Sequence, residues 1–358
     1  TVVPAALAVA EAKGGVSGKE FITAVCQGLD VGCRIGLATN PKPSHAGAPA
    51  PGYFGSAVAC AKVLGLDEEQ VLDAMSISYC QLAVGGLSII APALTKRLTA
   101  GFSARAGAFA ATLASRGFPG SRGIFQGERG YFPLYRGREG DLETLTQDLG
   151  KRFEITHCPK PYPSCRFTQA PIDATFALLK EYKLRPEDIH EVRVYLSGRA
   201  IHIGGGVDGA LLSRKRRPLG VVDAQFSAPY TVATAIVKGR VAIADFAPSA
   251  LSDPVVLAMA ERVVPVLDRK LDDVPDIITP AVVEIKTRDG RSLERRVDHA
   301  KGSPQNPMTP EELREKFWGC VAEAARPLAR ARVEKAASLL EHLETVRDVR
   351  EIAPLLAA

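Results

Sequence analysis

Apolar residues recur at helical spacing through the first 150 positions of the chain, and polar residues punctuate the runs. Ser17 is followed three residues on by Glu20, and Asp67 by Gln70, each just ahead of an apolar run. Such pairs satisfy the unpaired donors at a helix start reciprocally. Ser56-Ala-Val-Ala-Cys-Ala and Ala104-Arg-Ala-Gly-Ala-Phe-Ala-Ala are rich in small side chains, which lets neighbouring helices approach closely. The pattern predicts a helical domain over residues 1–150.

The periodicity changes after Gly150. A helix is expected from about Ser164 to Tyr182, with Ile172, Phe176 and Leu179 at helical spacing. Ile189-His-Glu-Val-Arg-Val-Tyr-Leu then alternates apolar and polar, as a half-buried strand does. Two further alternating runs, Val282-Val-Glu-Ile-Lys-Thr and Arg291-Ser-Leu-Glu-Arg-Arg-Val, flank Asp289-Gly290, a strong hairpin signal. Helices are expected at about Ala224–Val237 and Pro254–Val264. Residues 151–300 are therefore read as an α+β unit. Lys301-Gly-Ser-Pro-Gln-Asn-Pro-Met is a polar linker, and Thr309 with Pro310 and Glu312 opens a helix. Residues 301–358 are expected to return to the first domain. The fold class is mainly α, with an inserted α+β domain.

Composition sets limits on this picture. A chain of 358 residues is long enough for two cores. Its 46% hydrophobic and 24% charged residues are those of an ordinary globular protein. A net charge of +5 is too mild to argue for nucleic acid, and it suits an anionic small substrate. The apolar stretch from Ala74 to Ala93 is interrupted by Gly, Ser, Gln and Pro, so no membrane span and no membrane partner are expected. No secretory leader pattern opens the chain. Seven scattered cysteines, none in a C-x-x-C pair, argue against zinc and a disulfide framework and for a cytoplasmic location.

Lys160-Pro-Tyr-Pro-Ser-Cys-Arg166 carries the clearest chemistry. Pro161 and Pro163 stiffen a turn, and the helix that follows leaves first-turn N–H groups unpaired, with partial positive charge. Lys160 and Arg166 beside it make a candidate anion site; the alternative is a solvated turn between domains. His45, in a loop of proline, glycine and alanine, is a candidate general acid or base. Lys96 precedes a small-residue helix and could hold a carboxylate or a developing enolate; the alternative is a solvated lysine.

Other motifs carry less. Arg214-Lys-Arg-Arg217 has no interleaved aromatics for stacking bases, so no nucleic acid is expected. One of these cations could instead turn inward to a substrate carboxylate. Gly204-Gly-Gly206-Val-Asp-Gly209 fits G-x-G-x-x-G formally, without a parallel βαβ context or a long helix at Gly209, and reads as a glycine loop. There is no Walker loop, Gly-x-Ser-x-Gly elbow or H-E-x-x-H, and adjacent His157 and Cys158 do not make a metal site. No cofactor and no metal are expected.

Five phrases occur in order: Tyr53-Phe-Gly-Ser-Ala with Lys62-Val-Leu-Gly-Leu-Asp-Glu-Glu-Gln, then Lys96-Arg-Leu-Thr-Ala-Gly101, Lys160-Pro-Tyr-Pro-Ser-Cys-Arg, Asp223-Ala-Gln-Phe-Ser-Ala-Pro-Tyr230, and Gly302-Ser-Pro-Gln-Asn-Pro. Together they resemble the MmgE/PrpD family, which includes dehydratases, decarboxylases and an epimerase. The resemblance implies a helical domain built from both chain ends, an inserted α+β lid, a homodimer, and a metal-free site between the domains. It also implies a small di- or tricarboxylate substrate and proton removal next to a carboxylate, with dehydration the expected outcome.

Carried over by residue, Lys96 matches the family's active-site lysine and Lys160 the lysine that opens the lid motif. His45 lies about where the family has a histidine, one residue out of register. Cys165 stands where the decarboxylase and the dehydratase have a histidine, although many relatives share Ser-Cys-Arg; it is a candidate acid or base. Arg166 and, more weakly, Arg217 are carboxylate candidates. Thr99 replaces a histidine common after the family lysine. Relatives also carry an upstream helical segment with an Asp/Thr pair and a His. The chain opens at Thr1-Val-Val-Pro inside that domain, so those residues are expected to be missing. The alternative function is therefore a catalytically silent member that binds a carboxylate or serves as a structural dimer partner.

Overall fold

Glycine and alanine let three helices cross at close range in the first part of the molecule. The computed structural model describes residues 1–39, 50–82, 93–137, 140–155, 158–206, 209–272 and 280–357. It divides into one unit of Thr1–Leu87, Thr95–Ile155 and Arg326–Ala358, and another of Thr156–Ala325 with Ser88–Leu94.

The first unit is helical: α1 (Val2–Lys13), α2 (Gly18–Leu37), α3 (Ala50–Leu64), α4 (Glu68–Tyr79) and α5 (Thr95–Ala114). Helix α3 is buried along most of its length. A Cβ added to Gly28 of α2 would lie 2.4 Å from the Gly55 carbonyl oxygen, and one added to Gly107 of α5 would lie 2.5 Å from Ser56 Cβ. The small residues are thus what allow α2, α3 and α5 to meet. Ser17 with Glu20 and Asp67 with Gln70 both form reciprocal caps.

Arg34 is fully buried in this unit. It bonds Asp30 at 2.8 Å and the carbonyls of Gln147 and Arg152 at 2.7 Å each. Asp30 also accepts the Glu154 N–H at 2.6 Å, so the ion pair pins residues 147–154 to α2. The end of the chain comes back here: Val349 N–H donates to Val16 O at 2.9 Å, and Gly18 N–H to Val346 O at 2.8 Å. Val349 and Ile352 are buried in the same cluster as Val9 and Phe21.

The second unit begins with α6 (Arg166–Tyr182), followed by β1 (Ile189–Leu196), α7 (Gly209–Arg216), α8 (Val221–Gln225), α9 (Ala228–Lys238), β2 (Val263–Leu267), β3 (Ala281–Thr287), β4 (Ser292–Val297) and α10 (Pro310–Ala322). The sheet order is β2-β1-β3-β4; β1 runs parallel to β2 and antiparallel to β3. β3 and β4 form the expected hairpin, with Gly290 at φ 88° in the turn. Ile172 and Leu178 of α6 and Val232 and Ile236 of α9 share a core cluster with Val192, Val194, Val283 and Ile285 of the sheet. Thr309 and Glu312 cap α10 reciprocally.

The structure differs from the sequence pattern in four places. The helix expected over Ala224–Val237 is two helices, because Ser227 caps a new start and Pro229 occupies its first turn. The helix expected over Pro254–Val264 stops at Ala260, and Val263-Val-Pro-Val-Leu267 is a strand. Its β-branched residues favour extension, and Pro265 is tolerated on a strand with one described neighbour. The glycine loop read over Gly204–Gly209 gives way at Gly209 to a short, eight-residue helix, which carries Arg214, Lys215 and Arg216. Finally, α10 belongs to the second unit, and the return starts at Arg326. Among the described residues, no helix is long and apolar enough to cross a membrane.

Candidate functional site

The turn from Pro159 to Arg166 is held by the helix it leads into. Lys160 Nζ donates to Ser164 O at 2.9 Å, which folds the side chain back over its own turn. Gln169, one turn into α6, accepts the Tyr162 N–H at 3.3 Å and donates to Ser164 Oγ at 3.0 Å and Cys165 O at 3.1 Å. Ser164 Oγ and Thr168 Oγ1 are 2.7 Å apart. Tyr162 donates to Asp173 Oδ1 at 2.8 Å, and Asp173 Oδ2 accepts the Lys301 N–H at 2.6 Å. Burial pushes the Asp173 carboxyl above its usual range, against the pull of those two hydrogen bonds. Burial, with Asp173 beside it, pushes the Tyr162 phenol up as well, so Tyr162 stays a donor.

Cys165 is buried and caps α6 with its backbone rather than its side chain. Its N–H donates to Gln225 O at 2.8 Å, and Gln225 Nε2 donates back to Pro163 O at 2.8 Å. Arg166 follows. Its Nη2 donates to Cys158 O, while its Nη1 is buried without a hydrogen-bond partner among the described residues. Unmet buried donors cost stability, and a cationic one most of all. This donor sits at the start of a 17-residue helix, where first-turn N–H groups carry partial positive charge.

Three separated phrases of the sequence meet around this turn. Asp223-Ala-Gln-Phe supplies the carbonyl under Cys165. Lys301-Gly302 closes the other side: a Cβ on Gly302 would fall 1.9 Å from Pro159 O, and its φ is 84°.

Of the four-cation run, Lys215 is the one that turns inward. It is only 4% exposed and donates to Phe226 O at 2.7 Å. Burial lowers its proton affinity, while the nearby Asp223 and Cys165 raise it. Arg214 pairs with buried Asp223 at 3.1 Å. Arg217, the carboxylate candidate, instead pairs with Glu261 at 2.8 Å, its side chain 61% exposed. Sequence reasoning named Arg217 in this run and missed Lys215 and Asp223; Leu211 and Leu212 stand four residues before Lys215 and Arg216 alike, so helical spacing does not single out Lys215.

Lys96 lies in the first unit, half-buried in the first turn of α5. The Thr99 hydroxyl donates to Lys96 O at 2.8 Å. His45 lies outside the described residues. Among the described residues, no three His, Cys, Asp or Glu side chains cluster as metal ligands.

Comparison with known proteins agrees with this arrangement of phrases. The sequence profile of the MmgE/PrpD N-terminal domain matches residues 1–141, and that of the C-terminal domain matches residues 162–342. The cis-aconitate decarboxylase-like protein oryM of Aspergillus oryzae is 28% identical over 379 residues, covering 99% of this chain and 76% of that protein. Cis-aconitate decarboxylase of Aspergillus terreus is 27% identical over 99% of this chain and 75% of its own length. The Homo sapiens enzyme of the same name is 24% identical, covering 99% and 73%.

Proposed function

Because the chain belongs to the MmgE/PrpD family, we propose that it is a lyase-type enzyme acting on a small di- or tricarboxylate. One observation carries the reading: the buried, unmatched Nη1 of Arg166, in the same turn as Lys160 and at the start of α6. A carboxylate there would accept charge-assisted hydrogen bonds that water reaches poorly.

The proposed chemistry works at the carbon beside a carboxylate. Removing a proton from that carbon spreads negative charge onto the carboxylate, and fixed cations stabilise it. Lys96, Lys160 and Arg166 are proposed for that task. His45 is proposed to move the proton, with Cys165 as a second acid–base candidate. Loss of water follows when hydroxide leaves the neighbouring carbon. In loss of CO₂ a carbon–carbon bond breaks, its electron pair stays on carbon, and that carbon takes up a proton. The names of the relatives favour loss of CO₂ over the dehydration expected from the phrases alone. A homodimer and a cytoplasmic location complete the proposal.

A second reading is a silent family member that binds a carboxylate without turning it over. It is favoured by Cys165 and Thr99, where the resemblance leads one to expect histidines. Thermal shift against cis-aconitate, citrate, 2-methylcitrate and succinate, followed by proton NMR of the mixtures, separates the two. The enzyme reading expects a raised midpoint with at least one acid and a new product from it. A raised midpoint without product leaves the silent reading. Flat melting curves with every acid sink both.

A further inference from the structure

A buried cation, Lys215, lies near the first turn of α6. Arg214 is matched by Asp223, whose Oδ2 also accepts the Leu219 N–H at 3.2 Å. Lys215 is buried beside them, and its acceptor is the neutral carbonyl of Phe226. An ammonium in a dry interior is ordinarily costly, and an apolar side chain in its place is often neutral or stabilising.

Two consecutive carbonyls fix where this charge sits. Gln225 O accepts the N–H of Cys165, the residue that caps α6. Phe226 O, the next along, accepts Lys215 Nζ. The ammonium therefore lies one peptide away from the start of α6, where Arg166 keeps a buried donor without a partner. The Lys215 carbonyl is held in turn by the Ser227 hydroxyl, so the backbone and the head group of this lysine are both anchored to residues 226–227.

We propose that Lys215 is a positioning residue of the carboxylate site, its buried charge holding a substrate carboxylate against Arg166 and Lys160 from below. The proposal rests on the carboxylate-binding reading above. The rival role is a structural staple that joins α7 to α8.

The test uses the full chain with cis-aconitate, citrate, 2-methylcitrate and succinate as probes. Lys215→Met is expected to melt at or above the wild-type midpoint without ligand, and to bind the responding acid about tenfold more weakly. Where turnover is measured, KM should rise with kcat held. Lys215→Arg should restore affinity to within about threefold, because the charge returns. Asp223→Asn should shift affinity the other way, by removing the carboxylate that pairs with Arg214. A Lys215→Met protein that melts low and binds as tightly as the wild type overturns the proposal and establishes the staple. Should Lys215→Met fail to fold, Asp223→Asn decides, and unchanged affinity there overturns it. A wild type that answers none of the four acids removes the carboxylate reading and this inference together, whereas a responding wild type matched by Lys215→Met removes this inference alone.

Discussion

The Asp173 carboxylate accepts the Tyr162 hydroxyl at 2.8 Å on one oxygen and the Lys301 N–H at 2.6 Å on the other, so one side chain ties the proline turn to the segment that follows the hairpin. Burial raises the proton affinity of this carboxyl in the folded chain above its ordinary value of 3.8. The native state therefore holds the proton more tightly than the unfolded state. The stability that Asp173 contributes is fully present below the unfolded value and is lost as pH rises through the folded one. Asp173→Asn, which mimics the neutral form, should gain on the wild type as pH rises above the ordinary carboxyl value. Urea unfolding at a series of pH values reads this directly, and a constant difference would refute it.

Gly302 and Gly290 make a matched pair for substitution. Both have φ near the left-handed region, 84° and 88°, but a Cβ meets Pro159 O at 1.9 Å in the first case and open space in the second. Gly290→Ala should cost about 1 kcal/mol from backbone strain alone. Gly302→Ala should cost more, about 3 kcal/mol, and should also weaken carboxylate binding, because the clash displaces the start of the Lys160 turn. Equal losses in the two variants would show that the close approach to Pro159 does not matter.

Arg34→Ala leaves Asp30 buried without its partner and frees three carbonyl contacts to residues 145–152. Removal of one member of such a pair is expected to cost about 3–5 kcal/mol by denaturant unfolding. The double change Arg34→Met with Asp30→Leu should recover part of that loss. A double variant weaker than Arg34→Ala would contradict the account.

Arg166 and Arg217 should separate cleanly in binding. Arg217 is a solvated partner of Glu261, so Arg217→Ala should change affinity for a carboxylate by less than about twofold. Arg166→Gln removes the unmatched donor and should weaken it by about tenfold or more. Calorimetric titration with the acid that raises the melting midpoint checks both, and the reverse ranking would return Arg217 to the site.

Much of this was legible in local patterns. Ser17–Glu20, Asp67–Gln70 and Thr309–Glu312 are caps whose partners sit three residues apart, so the sequence alone displays them. The Asp289-Gly290 hairpin is equally local. The break at Ser227 was missed although Ser227 and Pro229 are a local helix-start signal; the strand at Val263 was not legible, because a run of β-branched apolar residues fits either periodicity until its neighbours are known. The same holds for Lys215. Within a run of four cations the residue types are equivalent, and only the carbonyl of Phe226 distinguishes the one that is buried. Asp173 was hidden likewise, since its partners lie 11 and 128 residues away.

The docking of Val349 and Gly18 against Val16 and Val346 has a consequence for synthesis. The first unit lacks part of its core until Val349 and Ile352 have been made, although α1–α5 are translated earlier. The second unit is almost continuous in the chain, from Thr156 to Ala325. On the ribosome it can close while the first unit still waits, so the order of folding runs opposite to the order of translation. Nascent chains arrested once residue 325 has cleared the exit tunnel should therefore present a folded second unit attached to open, chaperone-accessible helices.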